Sequence, residues 1–297
     1  MMQASNLVGY RIPESLSPSA LTLFRRDPKE YFYKYLATIR PPKFPQTKPM
    51  SVGSAFDARV KSYLANVFGN TEWSFERLFE SQVEVQNRDY AREAGENVFK
   101  VYRDSGALAE LVLSLKGAIN VRFEERTTRL INGVNITGVP DLLFETNDCL
   151  VILDWKVNGY ERKTSPRKGY VLCLPDRVKH KDVVQISHYG VPIVSEWFNT
   201  LYPDWAMQLC TYIWLMGYDI GSRCVCMVHQ ITPPRVSIHA GLCAPQYQED
   251  LFAEYLNLWN GIRDGSPFPD WENLEKMAAQ LQETTFNDLV RGTNRPY

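Results

Sequence analysis

Apolar residues recur at two different spacings along the chain. In some regions they fall every three or four residues, as on one face of a helix, and in others they form short runs bounded by turn residues, as in strands. The pattern predicts helices that begin at residue 18 and cover 28–36, 51–63, 75–116, 204–217, 247–262 and 270–283. It predicts strands over 119–130, 134–145, 149–157, 223–231 and 235–242.

The order of these elements predicts one α/β domain with a mixed central sheet that contains an antiparallel meander. We expect a single domain over residues 1–297, with a helical part at about 15–116, a sheet and a helix at about 117–245, and C-terminal helices at about 246–297. Residues 158–200 are predicted to be irregular, because proline, glycine and aromatic residues interrupt any period there.

Helix ends are marked by capping residues. Ser17 precedes Pro18, and Asp27 is followed three residues later by Glu30, so both sites are predicted helix starts. Asp204 is the predicted cap of the helix near the middle of the chain, with Gly217 as its stop.

Two turns set the register of the meander. Asn132-Gly133 is a strong two-residue hairpin signal and Asn147-Asp148 a weaker one. A turn at 147–148 places Asp141 directly opposite Asp154, and a turn at 132–133 places Glu124 opposite Asp141. Lys156, two residues after Asp154, shares the same face, so three acids and a lysine are predicted to line up across three strands.

Facing carboxylates repel one another unless a cation lies between them. Oxygen-only ligands near water suit Mg²⁺ or Mn²⁺, and such an ion activates water and stabilises charge on a phosphoryl oxygen. A lysine beside the ion can orient that water, so the set predicts metal-assisted attack on a phosphodiester. In the alternative interpretation, Asp154 and Lys156 are a surface pair on an amphipathic strand and Asp141 ends a strand.

Composition narrows these possibilities only a little. The chain is 44% hydrophobic and 23% charged, as in an ordinary globular protein, and its net charge of −1 predicts no global attraction to nucleic acid. No apolar run has the length of a membrane span and the N-terminus has no signal-peptide pattern, so we expect a cytoplasmic protein without a membrane partner.

Six cysteines are expected to be reduced thiols, since they form no C-x-x-C pair. Cys224 and Cys226 would share one face of a strand, with His229 nearby. They are interpreted mainly as buried small residues and alternatively as a metal site.

Four stretches of the chain, in order, resemble motifs of one enzyme family. The stretch "GVPDLL" followed by "VILDWKV" resembles the central motif of the PD-(D/E)-x-K nuclease superfamily, and most closely its RecB-like branch, which includes phage recombination exonucleases. "LSPSALTLFRRDPKEYFYKYL", "VGSAFDARV" and "QLCTY" resemble that branch's N-terminal helical signature, glycine-led helix and Q-x-x-x-Y helix. The resemblance covers roughly residues 15–217 and, more loosely, the C-terminal helices, and it implies a restriction-endonuclease-like core.

The resemblance also implies roles for individual residues. Asp141, Asp154 and the carbonyl of Trp155 would be metal ligands, and Lys156 the catalytic lysine. Gln208 and Tyr212 would border the site and touch the DNA backbone or the scissile strand, although a helix packing its apolar stripe with Gln208 exposed is an alternative.

The sequence departs from the branch pattern in two ways, the first of which concerns the metal site. Asp57 stands where a metal-binding histidine is usual, so it is either an oxygen ligand or a residue that caps the helix or pairs with Arg59. Glu124 is a candidate ligand from the turn register alone. The second departure is that the C-terminal part has no cysteine cluster of the kind that holds an iron–sulfur centre in some relatives, so no iron–sulfur cluster is expected.

The function implied is a Mg²⁺- or Mn²⁺-dependent DNA nuclease, more narrowly an exonuclease of recombination or repair in a bacterial or phage-infected cell. The implied partners are DNA and a recombination or single-strand-annealing protein. Two alternatives remain, a non-catalytic DNA-binding module with the same fold and a structure-specific endonuclease or ribonuclease.

Basic residues next to the motifs are candidate phosphate contacts, because loops beside a site usually carry its binding groups. In the alternative they are solvated surface residues. The candidates are Arg25, Arg26, Arg162, Lys163, Arg167, Lys168, Arg177, Lys179 and Lys181.

Overall fold

A computed structural model describes most of the chain. The described residues are 9–40, 45–69, 73–123, 126–146, 150–159, 169–173, 183–186, 189–192 and 197–290. For residues 173, 183–186, 189–192 and 284–290 this description covers the backbone only.

Ten α-helices are present in the described parts of the chain. They are α1 Pro18–Arg26, α2 Pro28–Tyr31, α3 Lys48–Val67, α4 Phe75–Gln82, α5 Arg88–Asp104, α6 Ala107–Lys116, α7 Phe198–Leu201, α8 Pro203–Leu215, α9 Pro245–Asp264 and α10 Trp271–Val290. A π-helix, Phe32–Leu36, continues α2, and a 3₁₀ turn, Val85–Asn87, precedes α5. Within the described ranges, none of the helices combines the length and the apolarity needed to cross a bilayer.

The same ranges contain ten strands. They are β1 Ile119–Phe123, β2 Thr127–Ile131, β3 Val134–Gly138, β4 Leu142–Glu145, β5 Leu150–Val157, β6 Val171–Cys173, β7 Val183–Ile186, β8 Tyr189–Pro192, β9 Cys224–Thr232 and β10 Arg235–Leu242. Six of them form the central sheet in the order β1-β4-β5-β9-β10-β6, while β2-β3 and β7-β8 are separate pairs.

The central sheet is mixed, as predicted. Strands β1, β4 and β5 form an antiparallel meander, β5 pairs in parallel with β9, and β10 pairs antiparallel with β9 and in parallel with β6. The register predicted from both turns is confirmed. Leu142 pairs with Leu153 next to Asp141 and Asp154, and Thr127 pairs with Gly138 across the turn at 132–133. Asn132 and Gly133 both have positive φ, which this kind of hairpin turn requires.

Two layers of helices cover the sheet because its strands are apolar on both faces. On β5, Leu150 and Ile152 pack into a core with α1, α2, α8, α9 and α10. Val151, Leu153 and Trp155 point to the other face and pack with α3, α5 and α6. Alternation along a strand therefore sends Asp154 and Lys156 toward the layer that contains α8.

Two predicted helix starts are confirmed and one predicted cap is wrong. The Ser17 hydroxyl accepts a hydrogen bond from Ala20 N, and Asp27 Oδ1 accepts one from Glu30 N. Asp204 lies inside the first turn of α8, because Pro203 takes the first helical position and Tyr202 the cap. A proline fits this position since its missing N–H would have no partner in the helix.

The structure also departs from the predicted strands. The two long strands predicted at 119–130 and 134–145 are each divided, so that β1 and β4 join the central sheet while β2 and β3 form their own pair. The segment 158–200 is not wholly irregular, since β6 adds an edge strand beside β10 and β7 pairs with β8. Helix α3 begins at residue 48, three residues earlier than predicted, because Thr47 supplies the cap.

Gly95 allows close approach of α5 to α3. A Cβ atom at Gly95 would lie 2.6 Å from the Ala55 Cβ, which is closer than real side chains approach. We expect Gly95→Ala to lower the free energy of unfolding by about 1–3 kcal/mol through overpacking. Gly53→Ala, a helical glycine with open space around its Cβ position, should be neutral or stabilise by up to about 1 kcal/mol. Urea denaturation measures both, and equal effects would contradict the close contact.

Candidate active site

Four elements converge on one cavity. Asp141 immediately precedes β4, Asp154 and Lys156 lie on β5, and Asp57 lies on α3. These four residues line a cavity of about 690 Å³, together with Trp155, Gln82 at the end of α4 and six others. Residues that are 97 positions apart in the chain, Asp57 and Asp154, therefore face the same space.

Asp141 is held by the neighbouring strand. Its Oδ2 accepts a hydrogen bond of 3.0 Å from the main-chain N–H of Trp155, and its Oδ1 lies 3.6 Å from Lys61 Nζ. Because the backbone of β5 fixes this side chain, the Asp141 carboxylate stays beside Asp154 as the predicted register requires.

Asp154 is buried, with 4% of its surface exposed. Its Oδ1 accepts a hydrogen bond of 3.1 Å from Gln208 Nε2, and its Oδ2 lies 2.5 Å from Lys156 Nζ in an ion pair without making a hydrogen bond of good geometry. Burial and, second to it, the charge of Asp141 raise the pKa of Asp154 from 3.8 to about 7, while Lys156 acts in the opposite direction. The site thus holds more negative charge than its own lysine offsets.

Gln208 connects the lysine to the acid. Lys156 Nζ donates to Gln208 Oε1 at 3.0 Å, and Gln208 Nε2 donates to Asp154 Oδ1 and, at 2.9 Å, to the Tyr212 hydroxyl. Burial raises the pKa of Tyr212, so its hydroxyl stays protonated. Gln208 is only partly exposed and its amide is bonded to both charged side chains of β5, so the alternative of an exposed Gln208 is wrong.

Gly138, at the end of β3, allows α8 to lie close to this strand. A Cβ atom at Gly138 would lie 2.7 Å from the ring of Tyr212 and 2.8 Å from the Leu215 side chain. Only glycine leaves room for α8 at this distance from the end of β3. The glycine that opens the "GVPD" stretch therefore positions Gln208 and Tyr212.

Asp57 does not pair with Arg59, whose guanidinium lies 2.6 Å from Glu96. Its Oδ2 instead lies 2.7 Å from Lys61 Nζ and accepts a hydrogen bond of 3.2 Å from Gln82 Nε2. Sequence reasoning missed both partners. Lys61 could have been found, since it follows Asp57 by four residues on the same helical face, but nothing in the sequence indicates Gln82.

The donor atoms fit a hard divalent cation. Two carboxylates lie side by side, one of them is buried, and all candidate ligands are oxygens. This is the donor set that Mg²⁺ and Mn²⁺ prefer. Trp155, whose carbonyl is the third predicted ligand, lines the same cavity. Glu124 lies outside the described residues, although Phe123 pairs with Leu142 in the predicted register.

A larger groove of about 900 Å³ begins on the other side of Lys156. Lys156, Gln208 and Tyr212 form one end of its lining, and the N-terminal helices form much of the rest. The basic residues of the lining are Arg11, Arg26, Lys34, Arg40, Arg126 and Lys156. They outnumber its acids, which are Glu14, Glu30 and Asp204.

The predicted phosphate contacts are only partly located. Arg26 lines the groove and pairs with Glu30 at 3.0 Å, whereas Arg25 is directed to Glu254 of α9 at 2.6 Å. The remaining candidates lie outside the described residues, namely Arg162, Lys163, Arg167, Lys168, Arg177, Lys179 and Lys181. Sequence reasoning missed Arg11, Lys34, Arg40 and Arg126, because they come together only when the helices pack.

The alternative metal site at Cys224, Cys226 and His229 is not assembled. His229 is three positions from Cys226 on β9 and therefore points to the opposite face, where its Nδ1 lies 2.6 Å from the Tyr102 hydroxyl. Cys226 Sγ instead lies 3.6 Å from Cys243 Sγ, in a buried cluster with Cys210.

Comparison with known proteins identifies the fold. A model of the PD-(D/E)XK nuclease superfamily matches residues 15–275, which confirms the superfamily resemblance and the restriction-endonuclease-like core with its mixed sheet. A crystal structure described as "Putative exonuclease" from Eubacterium rectale is similar over 85% of this chain and 82% of its own, with 12% identity and a TM-score of 0.42. The crystal structure of SSO0001 covers 80% of this chain and 85% of its own, with 14% identity and a TM-score of 0.28. No curated protein matches the sequence.

The electrostatics of Asp154 predict a pH-dependent gain in stability when its charge is removed. A carboxyl group with a raised pKa binds its proton more tightly in the folded than in the unfolded state, so its ionisation destabilises the fold as the pH rises from about 4 to about 7. We expect Asp154→Asn to raise the free energy of unfolding by about 1–2 kcal/mol at pH 8 in EDTA, and by less at pH 5. The substituted amide oxygen can still accept from Gln208, while the amide nitrogen replaces Oδ2, so the partly exposed Lys156 ammonium must turn away from it.

Urea denaturation at both pH values measures this effect. Asp104→Asn, at an exposed acid paired with Arg103, is the matched control and should change stability by less than about 0.5 kcal/mol. A loss of stability in Asp154→Asn at pH 8, or the same difference at pH 5 and pH 8, would show that burial of this charge is not costly.

Proposed function

The chain belongs to the PD-(D/E)XK nuclease superfamily, and on this premise we propose that it is a divalent-metal-dependent DNA nuclease whose active site is the cavity at Asp141, Asp154 and Lys156. The observation that carries the proposal is the contact between Asp154 and Lys156 beside Asp141, at the end of two neighbouring strands. An unusual concentration of buried charge with a raised carboxyl pKa is typical of a functional site.

Asp141, Asp154 and the carbonyl of Trp155 would hold Mg²⁺ or Mn²⁺. When bound, the ion lowers the pKa of a water molecule and stabilises negative charge on a phosphoryl oxygen. Two features support these ligands, namely the buried Oδ2 of Asp154 and the oxygen-only donor set.

Lys156 would act next to the reacting phosphate. Lys156 lines both the 690 Å³ cavity and the 900 Å³ groove, so it lies where a strand in the groove would meet the acids. There it can orient the attacking water and balance charge that develops on the phosphate. Gln208 would be a positioning residue, because it holds Lys156 Nζ and Asp154 Oδ1 at fixed distances, and Tyr212 in turn orients Gln208.

The groove supports a nucleic-acid strand as the substrate. Its basic side chains can contact successive phosphates, and the same lining contains two aromatic residues, Tyr35 and Trp205, of the kind on which bases stack. We propose that the narrower activity is that of an exonuclease in recombination or repair, acting with a recombination or annealing partner. The four motifs that resemble the RecB-like branch support this narrower proposal.

Loss of the lysine should remove cleavage without removing the fold. We expect Lys156→Met to lower the rate of Mg²⁺-dependent digestion of linear duplex DNA by at least about 100-fold, because the charge beside the reacting phosphate is lost. EDTA should abolish digestion by the wild-type protein, and closed circular DNA should remain intact. The release of acid-soluble nucleotides from labelled DNA measures all three.

Lys100→Met is the matched control, since it removes an exposed lysine that pairs with an acid four residues away. It should retain activity within about twofold. Cutting of closed circular DNA would indicate an endonuclease instead of an exonuclease, and cleavage of RNA alone would indicate a ribonuclease. Binding of DNA without cleavage in the presence of any divalent ion would leave only a binding module.

The groove predicts a separate effect on affinity. Lys34→Ala and Arg126→Ala should each weaken binding of single-stranded DNA severalfold at low salt, and each should reduce the slope of log affinity against log salt by about 0.7. Arg103→Ala removes an exposed arginine that does not line the groove and is the control. Fluorescence anisotropy in EDTA measures binding without cleavage, and unchanged salt slopes would contradict the assignment of the groove.

A further inference from the structure

Lys61 is a lysine buried among acids. Its side chain is only 1% exposed, and its Nζ lies 2.7 Å from Asp57 Oδ2 and 3.6 Å from Asp141 Oδ1. A buried ammonium group is costly unless acids pair with it. Helix α3 therefore brings a fixed positive charge against two of the three carboxylates of the cavity.

Resting on the proposed function, we propose that Lys61 is a built-in cation that neutralises Asp57, so that the active site takes one divalent ion, at Asp141 and Asp154. This assigns Asp57 a role that differs from the metal ligand expected from the sequence. Asp57 then balances the charge of Lys61, and Lys61 orients Asp141 as a positioning residue.

The contacts of Asp57 support this assignment. Its Oδ2 is approached by two donors, Lys61 Nζ at 2.7 Å and Gln82 Nε2 at 3.2 Å. Lys61 is 1% exposed and cannot leave Asp57 for solvent when an ion binds. By contrast, Lys156, the partner of Asp154, is 30% exposed and can turn away from its acid. To bind a metal through this oxygen, Asp57 would have to give up both contacts and leave Lys61 with less compensation.

The charge balance of the cavity points in the same direction. Among the described side chains at the site, the three carboxylates of Asp57, Asp141 and Asp154 meet the two ammonium groups of Lys61 and Lys156, which leaves one net negative charge. One divalent ion reverses this to one positive charge, which the phosphate of a substrate can neutralise. Counted over these described groups, a second divalent ion would leave three positive charges, and like charges at this distance repel.

Lys61 also blocks the space that a second ion would need. Its ammonium group contacts Asp57 and Asp141 together, so it occupies the position from which a cation could bridge these two acids. Removing the ammonium group without changing the size of the side chain should open this position. Lys61→Met is the appropriate change, because methionine is apolar and of similar length.

Titration of the full-length protein with Mn²⁺ alone tests the proposal, with bound ions counted by electron paramagnetic resonance of the free ion. We expect one Mn²⁺ per wild-type chain, two per Lys61→Met chain and one per chain of the double variant Asp57→Asn/Lys61→Met. Lys100→Met, at an exposed lysine that also pairs with an acid four residues away, should bind one ion like the wild type. Two ions on the wild-type chain, or one ion on Lys61→Met with unchanged affinity, would overturn the proposal.

Asp57→Asn alone provides a second measurement that does not depend on the folding of Lys61→Met. It should keep one Mn²⁺ with an affinity within tenfold of the wild type, and complete loss of binding would show that Asp57 is a ligand. Asp154→Asn separates this inference from the proposed function. If it binds Mn²⁺ as tightly as the wild type, the proposed metal site itself is wrong. If it loses Mn²⁺ while Lys61→Met still binds one ion, only the role of Lys61 fails.

Discussion

The site depends on keeping the carboxylate of Asp154 ionisable in a place that water hardly reaches. An acid that is 4% exposed would ordinarily be neutral or paired, and here Lys156 and Gln208 supply the pairing. The pairing is incomplete, since burial and the neighbouring Asp141 still raise the pKa of Asp154. The negative charge that remains makes the position suitable for a cation. Burying this carboxylate lowers the stability of the fold, and the same carboxylate can bind a metal ion.

Helices from both sides of the sheet complete this arrangement. Helix α8 lies over one face and brings Gln208 to the Asp154–Lys156 pair, and the absence of a side chain at Gly138 sets how closely it can approach. Helix α3 belongs to the opposite layer and brings Lys61 to Asp141 at the start of β4. Lys156 points from β5 toward the layer of α8, and Lys61 comes from the layer of α3. The net charge of the site therefore depends on how both layers pack on the sheet.

The charge of the whole protein and the charge of its groove are different quantities. The net charge is −1, yet the groove beside Lys156 gathers six basic residues against three acids. Interactions with a polyanion depend on the local field, because salt screens charges more than about 10 Å away. A nearly neutral chain can therefore present a basic path to the site while the rest of its surface carries balanced charges, such as the pairs of Arg92 with Glu76 and of Arg103 with Asp104.

The sequence by itself determined what depends on neighbours along the chain. The turn at 132–133 set the register of β2 with β3, the register of β4 with β5 agrees with the one predicted from Asn147-Asp148, which lie outside the described residues, and Ser17 and Asp27 fixed two helix starts. The motif spacing likewise indicated the superfamily, because a strand period of two puts Asp154 and Lys156 on one face.

Only the tertiary structure decided which distant elements complete the site. Lys61 and Asp141 are 80 positions apart, and the contact between them follows from how α3 packs on the sheet. The same holds for Gln82 beside Asp57, for the basic residues that line the groove and for the division of the two long strands between different sheets. Such contacts depend on the shapes of whole packed layers, which no short stretch of sequence encodes, whereas turns and periodicity arise from local backbone geometry.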